Sequence, residues 1–322
     1  MLPPMAMLER SHEGRVLVVR ISNPPHNFMN REMVGELDEL VRSVEGDRDV
    51  GAVVITGKPK RLYVTHYDVA EILAGVKGVG VAPPPALAGG LLRVAGAIKR
   101  VPGLRDAAGR TPVRGLLELH LIHDVFLRMN RSDKVFIAAI NGPATGGGCE
   151  LSLACDLRYV ADDPEIPIGL PEMTIGFNPG AGGTQRLTRL LGTGRALEMM
   201  LEGQGLDPRE ALEAGLVNRV VPADRLVDEA VATGERLARR SPEAIRGLKR
   251  SVYEGAAGTL ESGLAAERKW FMSEAGLEQS LAAMEAYVRE VDAGAAPWAD
   301  PEARRRWQEG LGAGGAAGEP DR

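Results

Sequence analysis

The 322-residue chain has few aromatic residues, at 4%, and only two cysteines. Cys149 and Cys155 fall within one apolar stretch and are too few for the disulfide framework of a small secreted domain, so a reduced, cytoplasmic setting is expected. A basic excess is also missing. The formal net charge of -5 is spread over mixed-sign segments, which leaves no footprint for a phosphate backbone, and nucleic acid is not an expected partner. Apolar runs such as Val135–Ile140 fall far short of the ~20 residues a membrane-spanning helix takes. Residues 1–10 show no apolar stretch behind a basic head, so neither a signal peptide nor a membrane partner is expected. No repeat at a fixed period is present, which sets solenoids and propellers aside.

What the chain does have is the makings of a large core, with 44% apolar residues and 40 glycines that favour close backbone packing. Residues 16–21 form a β-branched run stopped by Asn23-Pro24-Pro25, which predicts a strand and a turn. Met33, Val34, Leu37, Leu40, Val41 and Val44 recur at helical spacing over 31–44. Strands are predicted at 52–56, 134–140 and 157–161, with a helix at 147–154 between the last two. This alternation predicts an α/β fold with apolar strands covered by helices.

Residues 74–115, with Pro83-Pro84-Pro85 and several glycine pairs, read as an irregular, lid-like insertion. Helical spacing returns at 116–129. Beyond Gly192 the reading is almost wholly helical, with one short strand at 216–221, and residues 296–322 read as a largely disordered tail. The expected organisation is a core over 1–194, a helical module over 195–295 and that tail.

Chemistry concentrates in residues 138–156, AAINGPATGGGCELSLACD. Gly146, Gly147 and Gly148 open a helix whose first N–H groups have no internal partner and point outward, a place to hold developing negative charge. Taken alone, a glycine triplet is as well explained by a tight turn. Glu150 sits in an otherwise apolar run, and Glu172 follows Pro171 in a second glycine-rich stretch, GLPEMTIGFNPGAGGTQRL. Burial raises a carboxyl pKa, so two such groups can divide acid and base roles on one water. Spacing alone equally allows two capping or salt-bridged glutamates. His120 and His123 share a helix face without a third ligand nearby in sequence, and no metal is expected.

Together AVVITG, NGPATGGGCELSLACD, GLPEMTIGFNPGAGGTQRL and EALEAGLVNRVVP, in that order, resemble the crotonase (enoyl-CoA hydratase/isomerase) superfamily over about residues 16–250. The resemblance implies a crotonase-like spiral of β-β-α turns and a C-terminal helical oligomerisation module, giving a homotrimer or a dimer of trimers. It implies an acyl-CoA thioester substrate, as in fatty acid and lipid metabolism, with coenzyme A part of the substrate and no separate cofactor. Gly147 matches one oxyanion N–H donor. The second donor loop, which in the family has an F-S-A-G-A-D-L pattern, is Tyr63-Val64-Thr65-His66-Tyr67-Asp68-Val69 here, so Tyr67 falls at the donor position. His66, Tyr67, Asp68, Val69, Ala70 and Gly147 are the substrate-binding residues this implies. Both Glu150 and Glu172 match the enoyl-CoA hydratase branch. The alternatives are another acyl-CoA reaction of the superfamily (isomerase, hydrolase or decarboxylase), prompted by His66 and Tyr67, or a non-catalytic, RNA-binding relative. Lys58, Lys60 and Arg61 precede the donor loop, where CoA phosphates or solvent are their expected neighbours.

Overall fold

Hydrophobic runs that cannot be solvated pair edge to edge, and the computed structural model shows how. It describes residues 6–310, apart from 80–82, 100, 102, 105–106, 108–110 and 112–113. Strands β1 (Leu8–Glu13) and β2 (Val16–Ile21) form an antiparallel hairpin turned at Gly14, whose φ is +56°. From β2 the sheet continues in parallel through β3 (Ala52–Gly57) and β4 (Val135–Ile140). After the short β5 (Ala144–Thr145) come β6 (Leu157–Ala161), β7 (Ile168–Gly169), β8 (Gly205–Leu206) and β9 (Arg219–Val221). The large sheet has the order β1-β2-β3-β4-β6-β9, and β5-β7-β8 form a second, small sheet.

Parallel neighbours need crossovers. Helix α1 (Arg31–Val44), capped by the Asn30 side chain on Met33 N–H, joins β2 to β3 and buries Met33, Leu37, Leu40 and Val41. Helices α2 (Val69–Val79), α3 (Pro85–Ile98) and α4 (Arg114–Arg131) lie between β3 and β4. Helix α5 (Gly147–Ala154) follows β5, and a 3-10 turn (Glu172–Ile175) and α6 (Gly183–Leu191) follow β7. The turns that start at β4 and β6 therefore read strand, short strand, helix, the β-β-α spiral. Phe136, Ile137, Val53, Val54 and Met129 fill its centre. Both cysteines are buried free thiols, and burial pushes the Cys155 thiol up to about 12.

Four sequence-based expectations differ from the structure. The 74–115 insertion is not irregular where it is described: α2 runs to Val79, and Pro85 occupies the first turn of α3, where its missing N–H costs no helical bond. Residues 296–322 are not all without order, because Asp300 caps a helix, Pro301–Gln308, by accepting from Glu302 N–H and Ala303 N–H; residues 311–322 lie outside the described residues. Residue 195 does not end the core either. β8 and β9 complete the two sheets, and helix Leu226–Leu237 places Gly234 against Val16 and Ala52. Finally, β1 and the small sheet were not foreseen.

Candidate active site

The floor of the site is glycine laid against main chain. Gly146, at φ +49°, turns β5 into α5. A Cβ added at Gly148 would stand 1.7 Å from the Val64 carbonyl oxygen, so only glycine lets the loop after β3 lie on the helix start. Asn141 ties that loop down, accepting from Gly57 N–H and donating to the Gly57 and Pro59 carbonyls. Thr145 N–H and its hydroxyl both donate to Thr65 O, at 2.8 and 2.6 Å.

These contacts bring Tyr67 to Gly147. A Cβ at Gly147 would lie 3.2 Å from Tyr67 N. Met29 N–H donates to His66 O at 2.8 Å and Asp68 N–H to Met29 O at 2.7 Å, so the peptides on both sides of Tyr67 are held. Neither Tyr67 N–H nor Gly147 N–H has an acceptor among the described residues. Two unpaired amides side by side at a helix N-terminus can meet one oxygen that gains charge.

Glu150 and Glu172 face the same space. A cavity of about 970 Å³ is lined by both, with His66, Tyr67, Gly146, Gly147 and the apolar Val69, Ile72, Val76, Leu119, Ile122 and Phe177. Glu150 is 3% exposed, and its Oε1 accepts from Ala181 N–H at 2.7 Å and Gly183 N–H at 2.8 Å. Burial is the main reason its pKa rises, to about 7; the Glu172 charge raises it further and the two amides oppose this. Glu172 is 9% exposed, and its Oε2 is a buried oxygen without a hydrogen-bond partner. Its Oε1 stands 3.3 Å from where a Cβ on Gly146 would be, and burial raises its pKa as well. One carboxylate is held by two main-chain donors and the other keeps a buried oxygen without a hydrogen-bond partner, an arrangement suited to dividing acid and base roles.

Of the residues implied as substrate-binding, His66, Tyr67, Val69 and Gly147 line the cavity, whereas Asp68 and Ala70 do not. Asp68 caps α2, its Oδ1 accepting from Ala70 N–H and Glu71 N–H. His66 stacks on Phe28 with ring centres 4.2 Å apart, and its Nδ1 lies 2.7 Å from Tyr67 O. Lys58 pairs with Glu9 and Arg61 with Asp163, so both basic side chains already have partners. His120 Nε2 meets Leu92 O and His123 Nε2 meets Gly180 O. Among the described residues no group of three or more His, Cys, Asp or Glu is placed to hold a metal ion, and no helix is long and apolar enough to cross a membrane.

Sequence reasoning missed the polar wall: Arg31, Glu71 and Glu118 all line the cavity. The spacing of Tyr67 and Glu71, one turn apart at a helix start, was the available signal. It also missed the amides of Ala181 and Gly183, which carry no side-chain signature.

A family profile described as Enoyl-CoA hydratase/isomerase matches residues 119–299. A short-chain-enoyl-CoA hydratase of Clostridium acetobutylicum is 30% identical over 277 residues, covering 86% of this chain and 92% of that protein. A 2,3-dehydroadipyl-CoA hydratase of Escherichia coli is 37% identical over 287 residues, covering 88% and 96%. The crystal structure of an enoyl-CoA hydratase from Bacillus anthracis superposes with a TM-score of 0.70 at 26% identity, covering 88% of this chain and 96% of that one.

Proposed function

The chain belongs to the enoyl-CoA hydratase/isomerase family, and on that premise we propose that it adds water reversibly across the 2,3 double bond of an enoyl-CoA thioester. The observation that carries the reading is the convergence of two buried carboxylates and two unpartnered amides on one cavity. Coenzyme A enters as part of the substrate, and the reaction draws on the chain's own groups.

In the proposed reaction the thioester oxygen lies between Tyr67 N–H and Gly147 N–H. Glu150, whose ionised form is favoured by two main-chain donors, takes a proton from water as the water oxygen bonds to C3. The π electrons shift toward the thioester oxygen, where the two amides meet the growing charge. Glu172, whose burial favours the protonated form, delivers a proton to C2, and the proton left on Glu150 returns to Glu172 through water before the next turnover. Isomerisation needs no water-activating carboxylate, so the pair favours hydration.

The reading extends to a homo-oligomer. Leu260, Phe271 and Met272 of helix Leu260–Ala275 are 79%, 68% and 73% exposed, a face that a second copy would cover. Sedimentation of the purified chain as a monomer would remove this extension without touching the chemistry. The chemistry is tested with crotonyl-CoA, whose conjugated-thioester absorbance should fall on hydration. A Glu150→Gln enzyme should lose ~10²- to 10⁴-fold in kcat, and full activity in that variant would sink the mechanism.

A further inference from the structure

The wall beside the oxyanion amides carries an ionic group that the reaction above does not use. Tyr67 Oη donates to Glu71 Oε2 at 3.0 Å, and the same oxygen accepts from Arg31 N–H at 2.9 Å. The Arg31 guanidinium lies 3.4 Å from Glu71 Oε1 and pairs on its other side with Glu118 of α4. Arg31 is two residues beyond Met29, the residue whose N–H holds the His66 carbonyl. The links therefore close a ring: Met29 fixes the peptide that bears the Tyr67 N–H, Arg31 fixes Glu71, and Glu71 fixes the Tyr67 side chain.

This ring matters because an oxyanion donor works only if aimed beforehand. The peptide before Tyr67 is trans, so its N–H points away from the carbonyl that Met29 holds, and its nitrogen lies beside Gly147. The two Met29 bonds hold the peptides on either side of Tyr67, and a bulky, non-glycine residue supplies a further handle through its ring. A hydroxyl bonded to a carboxylate is among the stronger hydrogen bonds. Burial, and then the Glu71 charge, raises the Tyr67 pKa, so the hydroxyl keeps the proton it donates.

We propose that Glu71 is a positioning residue for the oxyanion hole: by accepting the Tyr67 hydroxyl it fixes the direction of the Tyr67 main-chain N–H, and so sets how strongly a bound thioester is polarised. The inference rests on the hydratase reading. Arg31 and Glu118 tie this support to α4, so the start of α2 and the donor that grips the thioester are braced together.

The test uses the full chain, crotonyl-CoA for turnover, and a conjugated dienoyl-CoA whose absorbance shifts to the red when its carbonyl is polarised. Tyr67→Phe keeps the ring and the main-chain amide, so it remains informative if Glu71→Gln fails to fold. Each should lower kcat by about five- to twentyfold with KM within about twofold, and each should shrink the red shift. The double variant should be no worse than the poorer single one, as for two halves of one contact. Single variants with kcat within twofold of the parent and an unchanged red shift would overturn the proposal. A parent protein that neither turns over crotonyl-CoA nor shifts the dienoyl spectrum would instead overturn the hydratase reading on which it rests.

Discussion

The floor and the wall of the cavity are built by opposite means. In α5 every residue from Gly147 to Ala154 is buried, and main chain touches main chain. In α2 large apolar side chains of the cavity wall stand in the open: Val69 is 39% exposed and Val76 61%. Atoms packed without slack hold a reacting group to a fraction of an ångström, whereas a loosely packed wall can admit acyl groups of differing shape. On the proposed reading, the difference leaves chemistry to the floor and chain selectivity to the wall.

The comparison breaks most severely at Gly148. An alanine there would place its Cβ 1.7 Å from a carbonyl oxygen, so Gly148→Ala should abolish turnover or yield no folded protein, as read by circular dichroism and crotonyl-CoA hydration. Next comes Glu172→Gln, which should keep acyl-CoA binding by calorimetry while kcat falls by ~10²- to 10⁴-fold. The pH profile should be smaller in range but as specific. With Glu150 near 7 and needed ionised, kcat should show an acid limb centred near 7, and because Glu172 must carry the proton it delivers, an alkaline limb as well; an acid limb centred near 4 would contradict the assignment.

At the wall the expected effects shrink. Val76→Ser should raise KM about three- to tenfold for long-chain enoyl-CoA and leave crotonyl-CoA unchanged, since it removes one partly buried apolar contact. Equal changes for both substrates would erase the division of labour. The smallest effect is on stability. The folded-state pKa of Glu150 lies above its unfolded value, so the cost of burying its charge is absent below about pH 4.3, grows as pH rises, and is complete above 7. Glu150→Gln should therefore stabilise the fold by about 1–3 kcal/mol at pH 8 and by little at pH 4.5, as measured by urea melts at both values.

The same contrast explains what could be read from the sequence. The large parallel strands, α1 and α5 were legible because their burial imposes long apolar runs or strict helical spacing on neighbouring residues. The pairing of Glu150 with Glu172 across 22 positions came from resemblance, because spacing alone does not bring two loops together. Helices α2 and α3 were hidden by prolines and glycines that their exposed faces tolerate. The two-residue strands β5, β7 and β8 exist only through their partners and leave no local pattern. The helix at Pro301–Gln308 was lost in a composition of charge and alanine, although Asp300-Pro301 is a sound helix start.

Gly183 carries a consequence of its own. A Cβ there would press to 3.0 Å on the Glu150 carboxylate that its N–H serves. Like Gly148, it matters for an atom it does not have. Much of what makes this site reactive is thus written as omissions, so a search for related catalysts by matching functional side chains would overlook half of the instructions, and a designer copying Glu150 and Glu172 onto another scaffold would have to copy the vacancies around them as well.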